Sequence, residues 1–372
     1  MNGKKISKKR LVVKLGTSTL TAGTKHLDKP AMLEIVKVVK RLIASGYEVA
    51  VVSSGAIAAG REFLGYPKLS NDVSSKQMLS AVGQGKLFEV WEDLFSIYGL
   101  HIGQLLLTKA DLENRERYLN IRDTVTAMLD FGVVPIFNEN DAVAVSEIKV
   151  GDNDNLAALI GVLVEAEAVI LLTDQKGLFS ADPRKDPKAK LIREVKSIDE
   201  SIEALCGGSG TTLGTGGMAT KVEAAKTATK AGVKVIICSG EVPQCIPDFV
   251  EGRGECTVFL PASHPVLSRK SWLSSATIAQ GRLTVDDGAY LALTQKGSSL
   301  LPKGIISVEG VFKRGATVDI LNANGRIFAR GLTRYGSEDL GRITGHRSNE
   351  IEALLGFSHG DVAVHRDDLV LV

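Results

Sequence analysis

Six short runs of β-branched and aliphatic residues alternate with longer amphipathic segments between residue 11 and about residue 240, and this alternation constrains the fold most strongly. The six runs are LVVKLG (11–16), EVAVVSSG (48–55), HIGQLLLT (101–108), VVPIFNEN (133–140), AVILLTD (168–174) and VKVIICSG (233–240). Several are continuously apolar, which is typical of strands that are covered on both faces. Strands that alternate with helices predict an α/β fold, an open and mainly parallel sheet between two helical layers.

Three of the intervening segments have the apolar periodicity of amphipathic helices, and a glycine follows each of them. They are PAMLEIVKVVKRLIAS (30–45), RERYLNIRDTVTAMLDF (115–131) and ATKVEAAKTATKA (219–231). Glycine is the residue most often found just beyond a helix C-terminus, because it adopts the left-handed backbone conformation easily. The glycines therefore predict where these helices end.

The pattern changes after about residue 250, which predicts a second domain. A chain of 372 residues is also longer than one hydrophobic core usually organises. GRGECTVFLPASHP (252–265) carries turn residues and two prolines, so we place the first domain at 1–261, a linker at 262–277 and the second domain at 278–372. The apolar segments of the second domain are short and separated by glycine and Asn-Gly, which predicts a small, mostly β barrel or sandwich.

The composition excludes several classes of protein. Lys plus Arg number 45 and Asp plus Glu 43, and aromatic residues make up 5%, so neither bulk charge nor a stacking surface suggests nucleic-acid binding. Residues 276–372 carry 11 basic and 11 acidic residues and are formally neutral. The four cysteines form no C-x-x-C pair and fit no common zinc spacing, so we expect free thiols in a reducing compartment.

The basic and then apolar N-terminus superficially resembles a signal peptide. Lys14, however, interrupts the apolar run after three residues, and no hydrophobic region of sufficient length follows. No run of about 18 apolar residues occurs that would span a membrane. We therefore expect a cytoplasmic protein.

Polar and glycine-rich residues follow four of the predicted strands at their carboxyl ends. These residues are KLGTS (14–18), SSGA (53–56), NEND (138–141) and TD (173–174). In open parallel sheets, ligands bind at this edge. The coincidence of four such ends places the candidate site there.

Two segments have the character of phosphate sites. Lys14 lies inside an apolar strand. It could be an edge residue whose side-chain stem reaches water, but we favour an ammonium group that points at a phosphate beside Gly16. GTGGMATK (214–221) comes directly before a helix, where glycines permit close approach and the helix N-terminus attracts anions. Lys221 would then reach the phosphoryl group from the side opposite Lys14. No Walker A string occurs in the chain.

Acidic and amide residues supply the other half of the candidate site. GDNDN (151–155) opens a helix, and its alternatives are an Asx turn with a cap or a group that orients lysines, a magnesium nucleotide or a substrate ammonium. Asp141 is the better ammonium partner, because it lies among amides at a strand end. Thr173 and Asp174 would contact a nucleotide, although a helix cap explains them equally well. The histidines and cysteines have no zinc spacing, so we assign no metal ligands.

Taken in order, the motifs resemble those of the bacterial glutamate 5-kinases of the amino-acid-kinase family. The likeness covers essentially the whole chain and includes a C-terminal segment similar to a PUA domain. The segments that carry it are VVKLGTS (12–18), SSGAIAAGRE (53–62), NENDAV (138–143), EIKVGDNDNL (147–156), LLTDQKGL (171–178), ADPR (181–184), GTGGMATK (214–221), SSLLPKGI (298–305) and AVHRDD (363–368).

The resemblance implies an αβα sandwich around a mostly parallel eight-stranded sheet, and ATP-dependent phosphorylation of the side-chain carboxylate of L-glutamate in proline synthesis. It implies that Lys14 and Lys221 stabilise the phosphoryl group and that Asp154 organises them. Three residues would bind glutamate: Ser54, Asp141 and Asn153. The residues that would bind ATP are Lys14, Thr173, Asp174, Thr215, Gly216, Gly217, Met218, Ala219, Thr220 and Lys221.

The resemblance also implies partners. Mg²⁺ would bridge the nucleotide phosphates with little direct protein ligation, proline would act as a feedback inhibitor, and the chain would form a dimer or tetramer. Alternatives are a kinase of the same fold that acts on acetylglutamate, aspartate, carbamate or UMP, an RNA-binding protein, and a catalytically silent amino-acid sensor. PUA modules commonly bind RNA, but the neutral tail disfavours that role here.

Overall fold

The computed structural model describes residues 9–144, 153–206, 217–262 and 279–372. The chain divides into two compact units, one of Met1–Leu112 and Ile121–Pro265 and the other of Glu113–Asn120 and Val266–Val372. Of the predicted linker 262–277, only Ala262 lies among the described residues.

The first unit contains an eight-stranded sheet in the order β3-β4-β2-β1-β5-β7-β8-β6, and all pairs except β7 with β8 are parallel. The predicted α/β sheet and its eight strands are thus confirmed. The strands are β1 (Lys9–Leu15), β2 (Tyr47–Ser53), β3 (His101–Leu107), β4 (Val133–Glu139), β5 (Ala168–Thr173), β6 (Glu194–Val195), β7 (Lys234–Ser239) and β8 (Cys256–Phe259).

Two helical layers cover this sheet. The described helices of the unit are α1 (Thr17–Thr21), α2 (Lys29–Ala44), α3 (Ala56–Phe63), α4 (Val73–Ser96), α5 (Lys109–Glu113), α6 (Arg115–Asp130, which belongs to this unit from Ile121 on), α7 (Asp154–Leu163), α8 (Glu200–Leu205), α9 (Met218–Lys230) and α10 (Ile246–Val250). Alternate β1 residues Val13 and Leu15 pack into one core with α2 and α4. Side chains alternate along a strand, so the intervening residues of β1 face the other layer, where α7 and α9 pack together.

Strand β1 lies in the middle of the sheet, between β2 and β5. Lys14 is opposite Val52 on one side and Leu171 on the other, and it is only 3% exposed. The alternative of an edge lysine whose stem reaches water is therefore wrong. A lysine that is buried in a central strand requires a partner for its charge.

The second unit contains a five-stranded sheet in the order β10-β9-β11-β12-β13, with its own hydrophobic core. Its strands are β9 (Gly281–Val285), β10 (Ile305–Glu309), β11 (Thr317–Leu321), β12 (Ile327–Thr333) and β13 (Val364–Leu371), and its helices are α11 (Asp287–Lys296), α12 (Ser337–Ile343) and α13 (Ile351–Leu355). One of the short apolar segments that predicted β structure, GRLTVDDGAYLAL (281–293), is a strand only over Gly281–Val285, because Asp286 caps α11 by accepting a hydrogen bond from the Ala289 N–H at 2.6 Å.

The stretch predicted as a domain boundary also contains regular structure. Strand β8 lies inside GRGECTVFLPASHP and pairs antiparallel with β7, so the sheet continues further along the chain than the turn residues suggest.

All four cysteines are free, and burial raises the pKa of the Cys238 thiol well above its usual value. No helix of the described part of the chain is both long enough and apolar enough to cross a membrane.

Candidate active site

The carboxyl ends of β1, β2, β4 and β5 are neighbours at one edge of the sheet, because these strands are parallel and adjacent. Lys14 is the last residue but one of β1, and Ser54 directly follows β2. The Ser54 N–H donates to the carbonyl oxygen of Leu15 at 3.0 Å, which ties the two strand ends together. The predicted clustering of polar strand ends is confirmed.

Asp154 lies between two buried lysines. Its Oδ1 is 2.6 Å from Lys14 Nζ, and its Oδ2 is 2.9 Å from Lys221 Nζ. The carboxylate is fully buried, and the two lysines are only 3% and 4% exposed. Buried charges persist only when they are paired, so this carboxylate holds both ammonium groups at fixed positions. The three groups together carry one net positive charge.

Two helix N-termini bring these groups to the edge of the sheet. Asp154 is the first residue of α7, and Lys221 lies in the first turn of α9. The Thr220 hydroxyl lies 3.2 Å from Asp154 Oδ2 and 2.8 Å from the carbonyl oxygen of Gly217. Gly217 precedes α9 and has no side chain to cap its first-turn N–H groups. Such N–H groups, together with the helix dipole, favour the binding of an anion.

The predicted nucleotide loop is only partly described. Thr215 and Gly216 lie outside the described residues, as does Asp152 of the GDNDN segment. Gly217 and Ala219 are exposed, and Met218 is half-buried at the start of α9.

Thr173 is the last residue of β5, and the exposed Asp174 follows it. The Thr173 hydroxyl donates to Asp174 Oδ1 at 2.9 Å, and the Thr173 carbonyl oxygen accepts a hydrogen bond from the Gly240 N–H at 2.8 Å. The next helix begins only at Glu200, so the alternative that these residues cap a helix is wrong. The pair presents a carboxylate at the same edge as the lysines.

A second cluster is built from amide groups around Asn153. Its Nδ2 atom lies 2.7 Å from Asn138 Oδ1, 3.1 Å from the carbonyl oxygen of Ser53 and 3.2 Å from Ser54 Oγ. Asn153 and Asp154 are consecutive in sequence, so the amide cluster and the lysine cluster share one helix start. Of the three predicted substrate residues, the structure brings Ser54 and Asn153 into direct contact.

The third predicted substrate residue, Asp141, is held by a residue that the sequence did not single out. Ser80 of α4 donates its hydroxyl proton to Asp141 Oδ2 at 2.7 Å, and Gln84 of the same helix accepts a hydrogen bond from Asn138 Nδ2 at 2.7 Å. The one signal in the sequence was two polar residues four positions apart, which face the same side of a helix.

Residues 9–239 match the model of the amino acid kinase family, and residues 281–355 match that of the PUA domain. The chain is 55% identical to a protein named glutamate 5-kinase from Vibrio parahaemolyticus, over 97% of this chain and 96% of that protein. It is 54% identical to a glutamate 5-kinase from Shewanella halifaxensis over the full length of both. A carbamate kinase from Giardia lamblia bound to AMP-PNP shares the fold, with a TM-score of 0.51 and 18% identity over 68% of this chain and 99% of that one.

Proposed function

We propose that this chain, which belongs to the amino acid kinase family and within it to the glutamate 5-kinases, transfers the γ-phosphoryl group of ATP to the side-chain carboxylate of L-glutamate. The product is L-glutamyl 5-phosphate, and the reaction is the first step of proline biosynthesis. The observation that carries the proposal is the pair of buried lysines on either side of Asp154 at the carboxyl edge of the sheet.

The acceptor needs no general base. A glutamate side chain has a pKa of about 4.3, so it is already an ionised nucleophile at neutral pH. Phosphoryl transfer then depends on in-line positioning and on stabilising the charge of the phosphoryl oxygens. The lysine cluster suits the second task, because its ammonium groups are oriented in advance and need no rearrangement during the reaction.

We assign the roles within the lysine cluster accordingly. Lys14 and Lys221 contact the γ-phosphoryl oxygens from opposite sides, and Asp154 keeps the two ammonium groups apart and oriented. During transfer, the bond between the γ-phosphorus and the β–γ bridging oxygen breaks, and a bond forms between a glutamate carboxylate oxygen and the γ-phosphorus. ADP leaves with the electron pair of the broken bond.

The nucleotide is assigned to the neighbouring strand end and helix start. Thr173 and Asp174 would contact the nucleoside, and the segment from Thr215 to Lys221 the phosphates. The open N-terminus of α9 supports the phosphate assignment. Both oxygens of Asp154 lie within hydrogen-bond distance of an ammonium group, which does not fit a direct magnesium ligand. We propose that Mg²⁺ is held by the nucleotide phosphates and offsets their charge there.

The amide cluster is assigned to glutamate. Asn153 directly precedes Asp154 of the lysine cluster, and it donates to Ser54 Oγ, whose hydroxyl proton can in turn be donated to a carboxylate. Asp141 offers a carboxylate for the substrate α-ammonium. This arrangement would orient the substrate with its side chain toward the phosphoryl group.

We propose domain limits of 1–261 and 278–372 with a linker at 262–277, a dimer or tetramer, feedback inhibition by proline and a cytoplasmic location. RNA binding by the PUA domain is the second, disfavoured candidate for that unit, since residues 276–372 are formally neutral.

The direct test measures ADP release with four acceptors: L-glutamate, N-acetylglutamate, L-aspartate and UMP. We expect release with L-glutamate to exceed release with each of the others. Equal or faster turnover with any of the other three would reject the assignment of the substrate.

A further inference from the structure

Helix α4 carries two polar residues toward the ends of the central strands. Ser80 and Gln84 are four residues apart and lie on one face of the helix. Ser80 is only 3% exposed and donates to Asp141, while Gln84 accepts a hydrogen bond from Asn138. Asn138 lies near the carboxyl end of β4, and Asp141 follows that strand, so both hydrogen bonds join α4 to this strand end.

The position of α4 is fixed next to these two residues. Helices α3 and α4 cross in backbone contact, because a Cβ atom on Gly83 would lie 1.9 Å from the carbonyl oxygen of Ala56. A Cβ atom on Gly60 would lie 2.0 Å from the carbonyl oxygen of Leu79. Gly83 and Leu79 directly precede the two polar residues. The close crossing therefore holds Ser80 and Gln84 in register with the strand ends.

Gln84 and the backbone N–H of Glu139 together set the orientation of a buried amide, since the Glu139 N–H donates to Asn138 Oδ1 at 2.9 Å. Asn138 donates through Nδ2 to Gln84 Oε1 at 2.7 Å, so its Oδ1 atom points the opposite way and accepts from Asn153 Nδ2 at 2.7 Å. If the Asn138 amide were flipped, an NH₂ group would face the NH₂ group of Asn153. Gln84 thereby helps to hold the Asn153 side chain in its direction beside Ser54.

Ser80 orients the Asp141 carboxylate in the same way. Its hydroxyl donates to Asp141 Oδ2 at 2.7 Å, which fixes the rotation of that carboxylate about its last bond. Hydrogen bonds to charged groups are stronger than those between neutral groups. The two bonds from α4 thus orient the carboxylate and the amides that stand around the same strand ends.

We propose that Ser80 and Gln84 are positioning residues for the acidic amino-acid substrate, acting through Asp141 and through the pair Asn138 and Asn153. The inference rests on the proposed glutamate-binding roles of Asp141 and Asn153. It assigns to α4 the preorganisation of the acceptor site, separately from the lysine cluster that acts on the phosphoryl group.

The test compares Ser80→Ala, Ser80→Thr and the matched control Ser74→Ala in the full-length protein. Ser74 lies on the same helix but is exposed. Ser80→Ala should raise KM for glutamate about tenfold with KM for ATP unchanged, because the Asp141 carboxylate loses the hydrogen bond that orients it toward the substrate ammonium. Ser80→Thr keeps the hydroxyl and should restore most of the affinity, and Ser74→Ala should match the parent.

Gln84 gives an independent arm in case Ser80→Ala does not fold. Gln84→Met removes the acceptor at similar length and should raise KM for glutamate alone, while Gln84→Glu keeps an acceptor oxygen and should raise it less. Calorimetry of glutamate binding without ATP reports the Kd and the fraction of binding-competent protein separately. A general loss of folded protein would lower that fraction but leave the Kd unchanged.

Asp141→Asn, measured in parallel, separates failure of this inference from failure of the proposed site. If Asp141→Asn raises KM for glutamate but Ser80→Ala and Gln84→Met change both KM values equally or neither, the positioning role is overturned. If Asp141→Asn itself leaves KM for glutamate unchanged, the substrate assignment fails first. Addition of Ser80→Ala to Asp141→Asn should change KM little further, because both act on one contact.

Discussion

Replacing Asp154 by asparagine tests the lysine cluster most sharply. The substitution keeps the size of the side chain and one oxygen, but it removes the negative charge that Asp154 places between Lys14 and Lys221. Two ammonium groups, 3% and 4% exposed, would then face each other without that counterion. We expect the loss in two quantities, the stability of the protein and the rate of phosphoryl transfer.

The expected loss of stability in Asp154→Asn can be worked out from the burial of the three charged groups. Removing one partner of a buried ion pair costs about 3–5 kcal/mol, because the remaining charge stays desolvated. Asparagine retains an acceptor for one lysine, so we take the lower end, about 3 kcal/mol. In a unit of this size each kcal/mol lowers Tm by about 2–4 °C, which predicts a decrease of roughly 6–12 °C. Loss of the preset lysine positions should lower kcat by about 10²-fold or more.

The assay is a pair of thermal melts, with and without AMP-PNP, and steady-state kinetics on the same preparation. The nucleotide phosphates bring negative charge to the two lysines, so AMP-PNP should narrow the difference in Tm between variant and parent. KM for ATP should not rise, since the variant site is more positive than the parent site.

A matched control is Glu89→Gln, which breaks the ion pair between Glu89 and Lys86. This pair has the same N–O distance as the pair between Lys221 and Asp154, 2.9 Å, but its side chains are exposed. Exposed pairs contribute about 0–1 kcal/mol, so this variant should melt close to the parent. The reasoning about burial is refuted if Asp154→Asn melts within 2 °C of the parent, a margin taken from the same scaling, and keeps its kcat.

Further predictions concern the lysines, the substrate carboxylate and the second unit. Lys14→Ala or Lys221→Ala should lower kcat by about 10²-fold or more, whereas an unchanged kcat with a raised KM for ATP would reduce them to binding residues. Asp141→Asn should raise KM for glutamate far more than KM for ATP, and a common rise would indicate a structural role. A chain that ends near residue 262 should keep glutamate-dependent ADP formation per folded molecule, and a well-folded but inactive product would mean that the second unit completes the site.

Six of the eight strands described in the first unit were predictable because their signal is local. The run predicted at 168–174 is a strand over Ala168–Thr173, and the run at 133–140 is one over Val133–Glu139. Continuous β-branched sequences that are buried on both faces give such a signal without knowledge of their neighbours. The short strand β8 was missed, since four residues between glycines and prolines have no clear period.

The two halves of the candidate site differ in how far the sequence revealed them. A lysine in an apolar strand is conspicuous, and the structure places Lys14 against Asp154 and brings Lys221 to the same carboxylate. Ser80 and Gln84 were not predicted, because serine and glutamine occur commonly on solvent-facing helix surfaces. Only the close crossing of α3 and α4, set by Gly60 and Gly83, decides that they face the strand ends.

In the proposed reaction, the glutamate side-chain carboxylate attacks the γ-phosphorus of ATP. We would supply L-glutamate labelled with ¹⁸O in its side-chain carboxylate only, and trap the product with hydroxylamine, which attacks the acyl carbon and releases phosphate. We expect a γ-glutamyl hydroxamate and phosphate that carries one ¹⁸O atom, both formed in step with ADP. Phosphate without the label, or ADP formation without hydroxamate, would contradict transfer to that carboxylate.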